Sequence, residues 1–254
     1  MPKYFVMPED MDKTGGIIHI GGENADHLIT VMRSRSGDPV IVCDGQSMDY
    51  NCEISDIGLG RDKRVTLKIL SEQDVKEPRL KVTLYQALPK ADKMDYVIQK
   101  CVEMGVNEII PIYTDNSDIK ELSDTKLNRF RKISEASAKQ TMRGVIPHIG
   151  PPIKIKQAIR ECAGCGLIFA PYENERRISL KDILSENNMD EIKNAAFFIG
   201  SEGGFSDGEA GMFMEAGIPR VSLGARILRT ETAGFAVLTI LMYACNELGV
   251  LHAG

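Results

Sequence analysis

The chain has 254 residues, of which 43% are apolar and 26% charged, and its formal net charge is −5. This length allows one large domain or two smaller ones with a substantial core, and no apolar run approaches the about 20 residues that a membrane span requires. The first residues also lack the apolar stretch of a signal peptide, so we expect a cytoplasmic protein. The negative balance argues against indiscriminate binding to nucleic acid.

Residues 1–72 are predicted to form short strands separated by turns. Ile17–Ile20 precedes two glycines, Val40–Cys43 precedes Asp44-Gly45, and Val65–Leu70 closes the region. An Asp-Gly pair after an apolar run is a strong hairpin signal. Several short strands at this spacing predict a small β-barrel.

A polar, charged and proline-containing segment, residues 73–79, is the predicted linker to a second domain at residues 80–254. The pattern there changes to strands that alternate with helices. The predicted strands are Leu80–Leu88, Glu108–Tyr113, Leu167–Ala170, Ala195–Ile199 and Val221–Leu223. Helices are predicted from Lys126 and Ile153 and after the N-cap residues Asp92, Ser206 and Thr230. This alternation predicts an α/β fold with a parallel sheet, whose ligands bind at the carboxyl ends of the strands.

No metal site is expected. Among the six cysteines only Cys162 and Cys165 are closely spaced, and the nearest histidine in the sequence is His148. A zinc site needs about four ligands. Reduced, structural thiols are therefore the favoured interpretation.

A glycine-bearing loop follows the apolar run Asn194–Ile199. It reads Gly200-Ser201-Glu202-Gly203-Gly204 and leads into a helix that Ser206 caps, with Glu209 completing a capping box. The loop has neither the Gly-Lys-Ser/Thr of a P-loop nor the G-x-G-x-x-G of a dinucleotide site. Taken alone, it is more consistent with a tight structural turn than with a ligand site.

A second loop, Leu223–Arg229, precedes the predicted last helix, Glu231–Leu248, for which Thr230 is the expected N-cap. Its two arginines, at 226 and 229, flank the apolar pair Ile227-Leu228. An apolar pair inside a basic, glycine-led loop suits a flat heterocycle beside an anionic partner. The alternative is a connector whose apolar residues fill the core.

Together the loops read Ile-Gly-x-Glu-Gly-Gly-Phe from Ile199 and Leu-Gly-x-Arg-Ile-Leu-Arg-x-Glu-Thr-Ala from Leu223. This pair resembles the signature of the bacterial methyltransferases that modify N3 of a uridine in 16S ribosomal RNA. These enzymes belong to the knotted SPOUT superfamily and use S-adenosylmethionine (SAM). The resemblance extends to segments at residues 27–38, 99–106 and 135–147, so that motifs in the family's order cover nearly the whole chain.

The resemblance implies a fold and an assembly. Residues 1–72 would form a PUA-like, OB-like RNA-binding barrel, and residues 80–254 a SPOUT domain whose parallel sheet carries a trefoil knot. It also implies a homodimer with the active site at the subunit interface. The last helix supports this independently, because its apolar residues lie on two faces, although a single large core could cover both.

The implied reaction is transfer of a methyl group from SAM to uracil N3 in 16S rRNA, within the small ribosomal subunit. The residues expected to bind the cofactor are Ala170, Ile199, Gly200, Glu202, Gly203, Leu223, Gly224, Ile227 and Leu228. Arg229 and Glu231 are the expected catalytic residues, and Arg229 would either stabilise a uracil anion or clamp a phosphate. The base is open between Glu231 and Glu202, and a site that simply favours the anion needs none.

RNA contacts are implied as well. The expected residues are Arg33, Arg35, Lys90, Gln140 and Arg143, with Arg61, Lys63 and Arg64 as weaker candidates. Residues 1–72 contain 8 lysines and arginines against 12 aspartates and glutamates, so docking on RNA would need a local patch. The alternatives are a solvated loop for the first two arginines and a helix-end hydrogen bond for Gln140.

The sequence departs from the family at Ser201, where proline is expected, and at Lys3, where arginine is expected. The serine predicts a more flexible loop, and the lysine keeps the charge but loses bidentate geometry.

Two other functions remain open. One is a related 2′-O-ribose methyltransferase acting on transfer or ribosomal RNA, and the other is a non-catalytic RNA-binding factor in ribosome assembly.

Overall fold

The computed structural model describes residues 1–60 and 62–249. They form two compact units. The first contains Met1–Glu77 together with Ala138–Ile146, and the second contains Pro78–Ser137 and the chain from Pro147 onward. The predicted boundaries treat the first domain as one continuous segment, so the return of the chain to it at 138–146 is a feature that the sequence pattern did not indicate.

The first unit is built on one mixed sheet. Its strands are β1 (Lys3–Phe5), β2 (Met11–Asp12), β3 (Ile17–Ile20), β4 (Pro39–Cys43), β5 (Met48–Gly58) and β6 (Arg64–Asp74). Their order is β1-β4-β5-β6-β3-β2, and every pairing is antiparallel except that of β1 with β4. A short helix, α1 (Gly22–Asp26), follows β3.

The predicted hairpin is confirmed. β4 and β5 pair antiparallel, and Gly45 in the turn between them has φ +71°, in the left-handed region that favours glycine. β5 is twice the length of a typical strand and was not predicted, because its polar residues hide the alternation. β6 continues into the predicted linker, since Asp74 pairs with Met48.

Side chains that point inward from this sheet form the core of the first unit. Its largest fully buried members are Ile18, Ile20, Leu28, Tyr50, Ile54 and Leu67. Lys3 also lies inside, with its ammonium 2.7 Å from an oxygen of Asp49 and within 3.3 Å of the carbonyl oxygen of Met142. Lys3 is therefore held in the unit's interior.

The second unit contains a seven-stranded sheet. Its strands are β7 (Lys81–Ala87), β8 (Glu108–Tyr113), β9 (His148–Ile149), β10 (Ile153–Lys154), β11 (Leu167–Pro171), β12 (Asn194–Ile199) and β13 (Arg220–Val221). The order is β10-β8-β7-β12-β11-β13, with β9 also paired to β8, and all pairings are parallel. The predicted parallel α/β fold is confirmed.

Six helices accompany this sheet among the described residues. They are α2 (Lys93–Glu103), α3 (Asp124–Gln140), α4 (Ile155–Glu161), α5 (Leu180–Glu186), α6 (Asp207–Glu215) and α7 (Thr230–Ala244). The end of α3 groups with the first unit. The helix predicted from Ile153 begins two residues later, because Ile153 and Lys154 pair with β8, and α5 was not predicted.

Helix ends follow their local signals with one exception. Gly105 after α2 and Gly217 after α6 have φ of +93° and +70°, as expected of residues that terminate a helix. The capping box between Ser206 and Glu209 is present. The predicted N-cap Thr230, however, is the first residue inside α7, because its hydroxyl donates a hydrogen bond elsewhere in the structure.

Within residues 1–60 and 62–249, no helix combines the length and apolar character needed to cross a membrane. All six cysteines carry free thiols, and five of them are buried. Burial raises the pKa of the Cys101 thiol to about 12 and that of Cys162 to about 11, so both are protonated at neutral pH.

Candidate active site

A cavity of about 770 Å³ lies at the carboxyl ends of β12, β11 and β13, which are neighbours in the sheet. Three loops form its wall, one after each strand. The lining residues are 171–173 and Arg176 after β11, 199–205 after β12, 222–228 after β13, and Thr230 and Ala233 from α7. This is the position at which open parallel sheets bind their ligands.

The loop after β12, residues 200–205, is a compact turn, which we call the first loop. The N–H of Gly204 donates to the carbonyl oxygen of Ser201 at 3.0 Å, and Gly204 has φ +66°. A Cβ on Gly200 would lie 3.0 Å from the main chain of Gly204. Residues with a Cβ are therefore disfavoured at Gly200 and Gly204.

Asn116, in the loop after β8, holds the outer side of the first loop. Its amide nitrogen donates to the carbonyl oxygen of Gly203 at 2.8 Å, and its own carbonyl oxygen accepts a hydrogen bond from the Ser201 hydroxyl at 3.0 Å. Ser201 is buried. The Ser201 hydroxyl thus ties the loop to Asn116, and the greater flexibility predicted for a serine here stays a prediction.

Thr230 holds the inner side of the first loop. Its hydroxyl donates to the carbonyl oxygen of Gly200 at 2.6 Å and accepts from the side-chain nitrogen of Gln86, at the end of β7, at 2.9 Å. Gln86 is fully buried. Sequence reasoning missed this link, although a glutamine near the end of an otherwise apolar strand was a signal for it.

The loop after β13, residues 222–229, has a different character, and we call it the second loop. Gly224 has φ +106°, and its N–H donates to the Ser222 hydroxyl at 3.2 Å. Within the described part of the chain, no residue hydrogen-bonds to the main-chain groups of 225–228. Ile227 is 84% exposed at the cavity edge. This wall offers unpaired N–H and C=O groups beside apolar side chains.

These features fit SAM. The volume falls within the about 300–1,000 Å³ typical of small-molecule sites. Unpaired main-chain groups of the second loop can pair with an adenine edge, and its apolar pair can cover the ring. The acidic residues of the lining, Glu173 and Glu202, suit a cationic ligand, because SAM carries a sulfonium and an ammonium.

Two carboxylates near the cavity differ in how far they are engaged. Glu202 lies 2.6 Å from the Lys93 ammonium and accepts from the N–H of Lys90 at 3.1 Å. Burial raises the pKa of Glu202, but hydrogen bonds from Lys93 and from main-chain N–H groups outweigh it and hold the pKa below its ordinary value of 4.5. Glu231 has a buried oxygen with no hydrogen-bond partner, 3.9 Å from Lys93.

Of the residues predicted to bind the cofactor, all but one line the cavity. The lining members are Ile199, Gly200, Glu202, Gly203, Leu223, Gly224, Ile227 and Leu228. Ala170 is fully buried in β11, one residue before Pro171 of the wall, so it supports the cavity from beneath.

The predicted catalytic residues stand beside the wall. Arg229 is exposed at the N-cap of α7, and Glu231 directly follows Thr230 of the lining. Across the described residues, the Arg229 guanidinium has no hydrogen bond or ion pair. The loop after β11, with Glu173 and Arg176, was not predicted as part of the site, although the carboxyl-end rule applied to that strand would have indicated it.

The residues predicted to contact RNA lie in different settings. Arg33 and Arg35 are exposed in the first unit, and Arg33 has φ +53°. Gln140 is exposed at the end of α3. Lys90 is exposed in the second unit, and its ammonium pairs with Asp118 at 2.6 Å. Arg61 lies outside the described residues.

Arg143 is placed differently from an RNA contact. Its guanidinium is buried, and it pairs with the buried carboxylate of Glu77 at 2.6 Å. The same carboxylate accepts from the N–H of Gly144 at 2.7 Å. Glu77 thus holds the returning segment 138–146 in the first unit, and this guanidinium is not presented to a phosphate.

Comparison with known proteins agrees with this geometry. Residues 76–242 match the model of a family described as an RNA methyltransferase domain, and residues 20–70 match that of an RNA methyltransferase PUA domain. The ribosomal RNA small subunit methyltransferase E of Bacillus subtilis is 28% identical over 98% of both chains. Its namesake from Mesomycoplasma hyopneumoniae is 36% identical over 64% of this chain and 70% of that protein.

Two solved structures are similar over nearly the whole chain. A methyltransferase from Legionella pneumophila with bound SAM is 28% identical, with a TM-score of 0.83 and coverage of 95% of this chain and 97% of that one. The ribosomal RNA small subunit methyltransferase E of Neisseria gonorrhoeae, bound to SAM, is 27% identical, with a TM-score of 0.82 and coverage of 96% and 97%. The chain therefore belongs to the RNA methyltransferase family, and within it to the group of the ribosomal RNA small subunit methyltransferases E.

Proposed function

We propose that the protein transfers a methyl group from SAM to N3 of a uridine in 16S rRNA of the small ribosomal subunit, and that it acts in the cytoplasm. The observation that carries the proposal is the cavity walled by the two glycine loops at the carboxyl ends of adjacent parallel strands. It is supported by relatives named for methylation of small-subunit ribosomal RNA and by similar structures that contain SAM.

The two loops have separate tasks in binding. The first loop is braced by Asn116 and Thr230, so its backbone presents a rigid floor. The second loop holds the adenine through unpaired main-chain groups at 225–228 and through Ile227 and Leu228. A rigid, preformed floor lowers the ordering cost of binding.

When bound, SAM supplies a methyl group that is already activated. The protein must remove the proton from uracil N3, and Glu231 is the residue suited to accept it. Its buried oxygen has no hydrogen-bond partner and lies 3.9 Å from the Lys93 ammonium, whereas the carboxylate of Glu202 contacts that ammonium at 2.6 Å. The exposed guanidinium of Arg229, two residues before Glu231, stabilises the negative charge that develops on the uracil.

RNA is bound through local basic patches on an acidic protein. In the first unit, the exposed side chains of Arg33, Arg35 and Gln140 are available to phosphates or bases. In the second unit, Lys90 is exposed near the cavity, because its N–H contacts the Glu202 carboxylate. Arg143 serves this surface indirectly by fixing the segment that follows Gln140.

The protein is proposed to act as a homodimer. On α7, Ile240 is 41% exposed and Tyr243 is 75% exposed, and Leu248, beyond the end of the helix, is 49% exposed. On α2, which packs against α7, Tyr96 is 47% exposed. A second copy would cover these apolar side chains.

Sedimentation should show a dimer that Tyr243→Glu dissociates, and a wild-type monomer at micromolar concentration would contradict this. The trefoil knot stays a prediction from the family.

The reaction is tested with labelled SAM and small ribosomal subunits that lack the modification, followed by nucleoside mass spectrometry. We expect 3-methyluridine as the product. Label on a ribose would instead identify a 2′-O-methyltransferase. The absence of label together with absence of SAM binding by calorimetry would favour the non-catalytic assembly factor.

A further inference from the structure

Building on the proposed function, we propose that Glu173 binds the α-ammonium group of the methionine part of SAM. Glu173 lies in the loop after β11 and lines the cavity. This loop entered none of the sequence-based predictions. The carboxylate would set the orientation of the cofactor's amino-acid end and so the direction in which the methyl group points.

The carboxylate of Glu173 lies against the first loop. A Cβ on Gly204 would lie 2.4 Å from Oε1 of Glu173 and 2.9 Å from Oε2. The carboxylate thus rests directly against the backbone of Gly204, whose φ of +66° favours glycine at this position. This contact brings a negative charge from the loop after β11 beside the first loop, which forms the floor of the cavity.

The carboxylate is not engaged by the protein. The neighbouring Arg176 turns away from it and donates to the carbonyl oxygens of Glu173 and Glu175. In the described ranges, no hydrogen bond or ion pair involves the Glu173 carboxylate. Glu175 shows the contrast, because its carboxylate accepts from the main-chain N–H groups of residues 176–178.

The two neighbouring glutamates therefore have different roles. Hydrogen bonds from the main chain hold the pKa of Glu175 below its ordinary value, so this carboxylate stabilises the turn itself. Glu173 gains no such partner, yet it stands in the same turn and faces the cavity. An anionic group that lines a cavity and is left unpaired is suited to a cationic ligand.

The chemistry of the lining points to the ammonium. The other acidic residue of the wall, Glu202, is already paired with Lys93 at 2.6 Å. Glu173 is thus the unpaired negative charge of the wall. SAM carries two positive groups, and of these only the ammonium has N–H groups that can form charge-assisted hydrogen bonds with a carboxylate. The sulfonium offers charge alone, and the ribose offers neutral hydroxyls.

The test compares three ligands by displacement of labelled SAM: SAM itself, S-adenosylhomocysteine, and 5′-methylthioadenosine. The second lacks the sulfonium but keeps the ammonium, and the third keeps only the nucleoside and a thioether. They are measured on the wild type, on Glu173→Gln and on Glu186→Gln. Glu186 is exposed at the end of α5 and away from the cavity lining, so this variant controls for the loss of one negative charge.

We expect Glu173→Gln to weaken SAM and S-adenosylhomocysteine by a similar factor, about tenfold, as for a charged hydrogen bond that is partly open to water. Binding of 5′-methylthioadenosine and the behaviour of Glu186→Gln should be unchanged. An equal loss for 5′-methylthioadenosine would assign Glu173 to the ribose, and a loss confined to SAM would assign it to the sulfonium. Either result, or no loss at all, overturns the inference.

These outcomes are separate from those of the proposed function. Wild-type protein that fails to bind SAM would defeat the proposed function, whereas normal SAM binding with an unchanged Glu173→Gln would defeat this inference alone. Because Glu173 is exposed, the variant should unfold at the wild-type temperature, which thermal denaturation checks.

Discussion

The two glycine loops of the cavity differ in how the protein restrains them. The first loop is tied from both sides, by the Ser201 and Gly203 contacts with Asn116 and by the Thr230 hydroxyl on Gly200. Among the described residues, the stretch 223–228 of the second loop has a single hydrogen bond, from the N–H of Gly224 to the Ser222 hydroxyl. One loop is a fixed floor and the other an open edge.

This difference separates two requirements of the proposed reaction. A fixed floor holds the reacting groups in one geometry, which is the main contribution a protein makes when its cofactor is already activated. An open edge leaves main-chain groups available to a ligand and allows entry. The site thus combines rigidity and access by assigning them to different loops.

The largest effect is expected where the second loop meets α7. Glu231→Gln removes the proposed proton acceptor and should lower kcat by about 10²–10⁴-fold while SAM affinity stays constant. Single-turnover methyl transfer with saturating SAM measures it. Glu202→Gln, in the first loop, should lower kcat far less, since its carboxylate is already paired with Lys93. A reversal of this order would assign the proton to the first loop.

The next effect concerns the rigidity of the first loop. In Gly200→Ala the new Cβ would meet the main chain of Gly204 at 3.0 Å, and backbone cannot yield as a side chain can. We expect SAM affinity to fall by about tenfold, equivalent to about 1.4 kcal/mol, as measured by calorimetry.

Gly211→Ala is the matched control for this loop. Gly211 lies within α6, and a Cβ there meets nothing within 4 Å. That variant should bind SAM normally and gain about 0.5–1 kcal/mol in unfolding free energy, because alanine loses less conformational entropy in a helix. Equal SAM affinity in both variants would contradict a rigid floor.

A smaller effect is expected at the open edge. Ile227→Ser removes apolar surface that is 84% exposed in the protein alone, so the unfolding temperature should not change. SAM binding should weaken by about fivefold, because the side chain becomes buried only against the cofactor. Unchanged affinity would show that Ile227 does not cover the adenine and would direct attention to a subunit interface instead.

The smallest effect tests the pairing of Glu202 through pH. Its folded pKa lies below the ordinary value of 4.5, so its ionised form adds stability above that pH, and this contribution is lost as the pH falls through the folded pKa. Because the Glu202 side chain is partly exposed to water, which screens the pairing, the contribution is about 0–1 kcal/mol. Unfolding temperatures measured from pH 3 to 7 should converge for wild type and Glu202→Gln at the acidic end. A constant difference across that range would contradict the pairing.

Much of the fold and part of the site were predictable from local signals. The alternation of strands with helices from Leu80 predicted the parallel sheet, and Asp44-Gly45 predicted the hairpin. The two glycine loops were predictable because a strand followed by glycine and then by a capped helix specifies where backbone turns at a sheet edge. Eight of the nine predicted cofactor residues line the cavity for the same reason.

Other features depended on contacts between distant segments. Arg143 is buried because it pairs with Glu77, 66 residues earlier in the chain. The residues next to Arg143 in the sequence would look the same if its side chain were exposed. The brace between Gln86 and Thr230 joins residues 144 apart. Neither pair can be predicted from neighbouring residues, because the packing of the folded chain determines which distant groups form hydrogen bonds.

The amino-acid sequence by itself thus determined the type of fold, the family and the two glycine loops that line the cavity, since periodicity, caps and glycines act over a few neighbouring residues. Only the tertiary structure decided which carboxylates are engaged. Glu173, Glu202 and Glu231 are chemically identical, yet one lies unpaired on Gly204, one pairs with Lys93, and one keeps a buried oxygen without a hydrogen bond. The surroundings of a charge set what it can do, and those surroundings exist only in the folded chain.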